Sequence, residues 1–350
     1  MNEGTRLMTD ELANRRLKAG KLPADLLANF LSDLAPTDPR ILLGPGVGED
    51  AAFVSFGSKT LIAKSDPITF ATDRIGWYAI QVNANDIAAS GGTPKWFLGT
   101  LLLPENEPAS TARDIFAQIH DAASELGISL IGGHTEITIG IPRPIIAGTM
   151  LGEAAPSETV KTSSANIGDD VILTSAIAIE GTAIIARECE SELLSAGLSK
   201  IQISKAAEFL DTPGISVVKA ASIATSTGDV TAMHDPTEGG LAGALHEMAR
   251  ASKTGININA ERVLIYPETK AICTALDLDP WGLIASGALV ITCNPSGSQE
   301  IVDSLENNAI PANVIGKITN SESGLTRTSS GISEPLPVFE RDEIARLYSS

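Results

Sequence analysis

The chain reads as a mixed α/β (α+β) protein of two domains, on three observations. Its 350 residues exceed what one ordinary core serves. Alanine, isoleucine and glycine are abundant while aromatics make up only 4%. Strand-like apolar runs and helical stripes share the chain, which suits sheets layered with helices.

The elements follow in order. Residues 1–39 form an N-terminal extension whose stretch 23–35 predicts a helix. Pro23 suits a first helical position, and Leu26, Leu27, Phe30, Leu31 and Leu34 make one apolar stripe. A glycine-rich loop at 44–48 feeds a strand at 51–56, and 60–70 reads as a second strand broken at Pro67. A helix over 76–90 closes at Gly91 and Gly92. Residues 95–104 read as a third strand. A helix over 109–126 puts Ile115, Phe116, Ile119, Ala122, Ala123 and Leu126 on one side, with Gly127 as its cap. Strands at 128–133 and 143–152 complete a first unit, 40–155, of about five strands and two long helices.

The polar stretch 153–168 marks a boundary, and the second unit runs over 165–320. It opens with a strand at 169–177. Helices are expected near 181–196, 200–210, 214–226 and 238–251, and strands near 262–265, 287–293 and 313–317. The tail 321–350 carries Ser, Gly and Pro and reads as peripheral.

Composition narrows the function. A formal net charge of −18 repels nucleic acid and anionic membrane. No apolar stretch approaches the roughly 20 residues of a membrane helix, and the charged N-terminus lacks the apolar core of a signal peptide. Cys189, Cys273 and Cys293 show no C-x-x-C pairing, so a cytoplasmic protein with reduced thiols is expected. An acidic protein that binds an anion needs metal ions or local backbone donors against its own field.

Four stretches could supply them. In 82–90, Asn83, Asp86 and Ser90 share one face of an otherwise apolar helix, where a carboxylate is costly unless paired. Asp86 either caps a neighbouring backbone or serves a site. Asp50 and Asp66 each stand at the edge of an apolar strand, as turn residues or as ligands. If the three carboxylates converge, their repulsion calls for Mg²⁺ or a proton. Lys64, two residues from Asp66, could reach a phosphate or lie solvated.

In 233–240, Thr237 or Asp235 could cap a helix, with Glu238 in its first turn and Gly239 and Gly240 leaving that end bare for an anion. His234 is one of four histidines and more often a loop residue than a catalyst. In 130–138, Gly132 and Gly133 followed by His134, Thr135 and Glu136 suit a strand running into a tight turn, or a loop whose N–H groups meet an anion while Glu136 handles its metal. No P-loop and no placed G-x-G-x-x-G fingerprint occurs.

The segments "GEDAA", "KSDP", "IGWYAIQVNANDIAASGGTP", "IGGHTEIT" and "HDPTEGGL" come in the order seen in the aminoimidazole ribonucleotide (AIR) synthase superfamily. That group includes AIR synthase, the hydrogenase maturation factor HypE, thiamine-monophosphate kinase and selenophosphate synthetase. The resemblance runs from about residue 40 to 320, and "GDDVILTSAIAIEGTAIIA" is most similar to the HypE branch.

The resemblance implies two α/β domains, with the N-terminal ones pairing across a homodimer. ATP would lie in a groove on the paired sheet, under a glycine-rich loop that includes Gly46 and Gly48. Asp50, Asp66 and Asp86 would bind Mg²⁺, with Asn83, Gly132 and Gly133 against the nucleotide. Glu136, His134 and Lys64 would be catalytic, and His234, Asp235, Thr237 and Glu238 would meet the substrate. The shared chemistry is activation of a substrate oxygen by ATP, or direct phosphoryl transfer, on a carboxamide or a phosphate-bearing metabolite.

Three departures stand out. HypE ends in a cysteine, whereas this chain ends "RLYSS". Selenophosphate synthetase carries a reactive Cys or selenocysteine in its N-terminal loop, whereas "GPGVGEDAA" has none. "GGHTE" also differs from the "GDT"-like segment of HypE and the kinase. The alternatives are a thiamine-monophosphate-kinase-like phosphotransferase and a non-catalytic nucleotide-binding maturation partner. The dimer is expected to use residues 51–103 as an edge of the paired sheet.

Overall fold

The computed structural model describes residues 21–32, 38–69, 73–227 and 229–347. Two sheets organise them. The first has six strands: β1 (Ile41–Leu43), β2 (Ala52–Phe56), β3 (Lys59–Ile68), β4 (Thr93–Pro104), β5 (Ser129–Thr138) and β6 (Ile145–Ala154). Their order is β1-β2-β3-β6-β4-β5. Neighbours are antiparallel except β4 and β5, which are parallel and joined through a helix, as a parallel pair requires.

Alternation along β3 turns Thr60, Ile62, Lys64, Asp66 and Ile68 to one face. That inner face carries the two long helices. Helix α2 (Ile75–Ala89) follows the short α1 (Ala24–Leu31) and is buried at 14 of its 15 positions. Such a helix sits inside the molecule rather than on it. Helix α3 (Ala109–Glu125) is amphipathic, burying Ile115, Ile119, Ala122 and Ala123 and exposing the rest of its surface. Each buried isoleucine contributes about 2 kcal/mol of apolar transfer. Both helices end where the chain turns through a glycine at positive φ, Gly91 and Gly127.

The second sheet has seven strands: β7 (Asp170–Thr174), β8 (Val230–His234), β9 (Gly255–Asn259), β10 (Leu289–Cys293), β11 (Ala312–Thr319), β12 (Leu325–Ser329) and β13 (Ile332–Pro335). Their order is β13-β12-β9-β11-β7-β10-β8. The central β7 and β10 are buried at every residue. Around them lie α4 (Ile179–Glu188), α5 (Glu190–Ser195), α6 (Lys200–Ala207), α7 (Val218–Ser226), α8 (Gly240–Ser252), α9 (Pro267–Leu276) and α10 (Ser298–Asn307).

Several expectations are corrected. The tail is not peripheral: β12 pairs in parallel with β9, and Asp342 accepts a hydrogen bond from the Gly239 N–H at 2.7 Å. The helix expected over 181–196 breaks at Cys189, and 262–265 is not a strand. The expected helix over 23–35 ends at Leu31 among the described residues; 33–35 and residues 1–20 of the extension lie outside them.

"GGHTE" is neither turn nor loop. It lies inside β5, whose residues are nearly all exposed. Gly133 has φ 149°, and a Cβ there would sit 2.2 Å from the Gly99 carbonyl oxygen. Glycine is required by close packing of strands, not by a turn. The strands within 51–103 are not edges either, because β2, β3 and β4 each have a neighbour on both sides. The free edges are β1 and β5.

Candidate functional site

Strand β3 and helix α2 create the first half of the site. The Asn83 carboxamide accepts from the Asp66 N–H (3.0 Å) and donates to the carbonyls of Ala79 (2.9 Å) and Asp66 (3.3 Å). Its polar atoms are thus committed to backbone. Asn83 fixes Asp66 rather than facing a nucleotide, which corrects its expected role. Asn85, one residue past Ala84, clamps the other unit: it donates to the Ile215 carbonyl (2.7 Å) and accepts from the Val217 N–H (2.8 Å).

One helical position further, Asp86 turns back under β3. Lys64 Nζ lies 3.0 Å from Asp86 Oδ1 and 3.7 Å from Asp66 Oδ2. Burial pushes the Asp86 carboxyl up to about 7, against the pull of Lys64 and with the push of Asp66 and Asp50. Burial alone would lower the Lys64 ammonium, but Asp86, Asp66 and Asp50 outweigh it and hold the group well above its usual range. Asp50, Asp66 and Asp86 therefore share one electrostatic neighbourhood, as the sequence suggested.

The second unit adds His234 and Asp235 at the end of β8. His234 is 5% exposed and Asp235 2%. His234 Nδ1 is 2.6 Å from Asp50 Oδ1, an ionic contact off the line of a hydrogen bond, and Nε2 is 2.9 Å from Glu247 Oε2. Glu247 in turn meets Lys21 at 3.1 Å. Burial opposes charge on His234, yet Asp50 and Glu247 raise its pKa well above the ordinary value. Asp50 Oδ2 accepts from Thr162 Oγ1 at 3.1 Å. Asp235 is also raised, by burial and then by Asp86 and Asp50. His234 and Asp235 thus belong to the charge cluster, not to the substrate wall where they were expected.

Among the described residues, Asp50, His234 and Asp235 bring ligand atoms within 4.8 Å of one another, a spacing able to hold a cation. Asp86 Oδ2 and Asp235 Oδ2 are buried without a partner. Asp235 was missed as a cluster member because no sequence spacing links it to Asp86.

Beside the cluster is a cavity of about 570 Å³. Asp66, Ile68, Tyr78 and Val82 line it from the first unit, and Glu180, Ile184, Thr237, Glu238, Ile284 and Ser286 from the second. Thr237 and Glu238, expected to meet the substrate, line this cavity. The bare helix end expected beside them is not bare. Helix α8 begins at Gly240, no side chain of 235–238 caps it, and Asp342 from the tail takes the Gly239 N–H. The loop 44–48 packs on this same helix. At Gly48, φ is 86° and a Cβ would stand 2.9 Å from the Glu247 carbonyl oxygen. Gly46 is likewise filled, its nearest neighbour being the Glu49 side chain.

His134 and Glu136 are not brought to the cluster. Strand register sets Asp66 opposite Gly148, Gly148 opposite Gly99, and Gly99 opposite Gly133. The side chains one and three positions along, His134 and Glu136, therefore face the opposite side of the sheet from Lys64 and Asp66. They meet each other at 3.6 Å, exposed. The three cysteines also stand apart from the cavity lining. Burial raises all three thiols, Cys273 and Cys293 to about 12, which leaves them poor nucleophiles.

Residues 48–154 match the family of AIR synthase related proteins through its N-terminal domain, and residues 166–327 match it through its C-terminal domain. A selenide, water dikinase of Clostridium botulinum is 30% identical over 279 residues, covering 77% of this chain and 74% of that protein. A carbamoyl dehydratase HypE of Rhizobium leguminosarum is 26% identical over 266 residues, 73% and 72% of the two chains. A solved structure of AaThiL complexed with AMPPCP and TMP superposes with a TM-score of 0.72 at 21% identity, over 93% of this chain and 98% of the other. The chain belongs to the AIR synthase related family.

Proposed function

We propose that the chain is an ATP- and Mg²⁺-dependent enzyme that activates or phosphorylates an oxygen of a small substrate. The observation that carries this reading is the meeting of the buried Asp50, Asp86, Asp235 and His234 with the half-buried Lys64 and Asp66, beside the 570 Å³ cavity between the two units. The donor set fits Mg²⁺. Hard carboxylate oxygens suit that ion, and the unpartnered Asp86 Oδ2 and Asp235 Oδ2 have coordination to give. Asp50 and Asp235 lie within the span of one ion, and Asp66 and Asp86 stand beside them across Lys64, so the four would share the holding of Mg²⁺. When bound, Mg²⁺ supplies neutralisation of phosphate charge.

The chain's own residues do the rest. Asn83 orients Asp66 through its backbone. Lys64, held between two carboxylates, presents a fixed cation to a phosphoryl oxygen. His234, whose pKa Asp50 and Glu247 raise, would offset buried negative charge in the cluster. Thr237 and Glu238 border the substrate space.

A homodimer belongs to the same reading. Strand β5 is an unpaired edge with Leu130 and Ile131 43% and 52% exposed and Ile137 68%. Long apolar edges are normally covered. His134 and Glu136 then enter catalysis only through a second copy, across whose groove they would lie, and Gly132 and Gly133 let that copy's nucleotide approach β5. The test is turnover of Mg·ATP against a panel of carboxamides and phosphate monoesters, with binding of Mg·AMPPCP by calorimetry. No nucleotide binding would end the reading. Binding without turnover on any substrate would favour the non-catalytic partner, which the raised and distant cysteine thiols also support.

A further inference from the structure

Glu180 is the second residue of helix α4, and it is 4% exposed. Its Oε2 has no hydrogen-bond partner. Ser286, 1% exposed on the segment before β10, also leaves its Oγ without one. Ser286 lies close enough to ease the charge on Glu180, yet neither of those two atoms completes a bond. Both residues line the same cavity, whose other walls include the apolar Tyr78, Ile184 and Ile284. Buried polar atoms are rarely left unsatisfied without a ligand or a special role.

The charged groups that act most on Glu180 have one sign. After burial, which pushes the Glu180 carboxyl up to about 7, the charged groups acting on it are Asp342 and Glu238, both carboxylates. Lys21 and Arg143 also line the cavity, but neither is among the principal influences on Glu180, and Lys21 is ion-paired with Glu247. An apolar-walled space ending in a carboxyl that has no cationic partner and is eased only by the neighbouring Ser286 matches a particular occupant. That occupant has a hydrocarbon or ring body, a cationic N–H donor for Glu180, and a further N–H for Ser286. An inorganic anion would meet like charge there.

We infer that Glu180 and Ser286 form the specificity end of the substrate site and select an organic substrate bearing a protonated amine. The word substrate rests on the proposed function; the amine preference does not.

The test is titration calorimetry of the full chain at pH 8 with three probes of similar size, namely benzylamine, benzyl alcohol and benzoate. Benzylamine should bind at least tenfold more tightly than the other two. Glu180→Gln should bring benzylamine to within twofold of benzyl alcohol, and Ser286→Ala should weaken it about threefold. Equal binding of benzylamine and benzyl alcohol, tighter binding of benzoate, no binding by any probe, or a preference that survives Glu180→Gln would each overturn the inference. The wild-type series decides even if the variant fails to fold. Mg·AMPPCP binding, measured on the same samples, separates the two failures: its loss sinks the proposed enzyme and leaves the amine series standing.

Discussion

His234 and His134 make an instructive pair. Each stands near a carboxylate in a strand, yet one is 5% exposed between Asp50 and Glu247, and the other lies on an open edge 3.6 Å from Glu136. Buried, the imidazole is pushed towards its charged form, because it lies between two carboxylates in a poor solvent. Exposed, the same chemistry is screened by water and holds little energy. Local residue type is common to both; burial decides which one is integral to the cluster.

The largest effect should come from breaking the buried member. His234→Ala leaves the buried Asp50 without its cation and Glu247 with Lys21 alone, and should lower unfolding stability by about 3 kcal/mol or more, read by denaturant titration. A loss under about 1 kcal/mol would mean that water relaxes the cluster and that the contrast with His134 is overstated.

Next is Lys64→Met. Removing the cation that meets Asp86 and Asp66 should reduce ATP turnover about 10²-fold, the scale of losing one oriented charge-stabilising group. Unchanged turnover would make Lys64 a purely structural counter-ion.

The third test is pH. The folded-state Glu180 carboxyl sits at about 7 against an ordinary 4.5, so the native state binds the proton more tightly than the unfolded chain. Stability is then full below about 4.5 and falls as pH rises towards 7. His234 has the same sign: its raised pKa stabilises below the ordinary value and that contribution is lost as pH climbs through the raised one. Glu180→Gln should remove the first of these slopes and leave the variant roughly 2 kcal/mol more stable than wild type at pH 8, seen in melting curves across pH 4.5 to 8. A slope unchanged in the variant would assign the proton to another carboxyl, Asp342 at about 6 being the nearest candidate.

The smallest stability effect belongs to the edge. Glu136→Gln and His134→Ala should each alter stability by under about 0.5 kcal/mol. Their activity should depend on the second copy. Mixing Glu136→Gln with Lys64→Met chains should recover part of the turnover that each lacks alone, because one of the two mixed sites then carries both native residues. No recovery in mixed samples would remove the shared-site reading of β5.

The sequence by itself determined the two-sheet, two-helix-layer plan, since strand alternation and the stripe Ile115, Ile119, Ala122, Ala123 are local periodicities that burial obeys. It also marked Asp50, Asp66 and Asp86, because carboxylates at the margins of apolar elements stand out without any knowledge of contacts. Strands β8, β9 and β12 were not legible, for their mixed polar and small residues lack the continuous apolar run that marks the equally short β7 and β10. "GGHTE" was misplaced for a related reason: glycine reads locally as a turn residue, whereas Gly133 is required by the Gly99 backbone of a neighbouring strand. Only the tertiary structure decided that Asn83 serves the Asp66 backbone, that Asp342 closes the end of α8 from over a hundred positions away, and that Glu180 and Ser286 share a cavity. Those facts depend on which distant surfaces exclude water together, and the energy of a charge or a polar atom follows from that exclusion rather than from its neighbours in the chain.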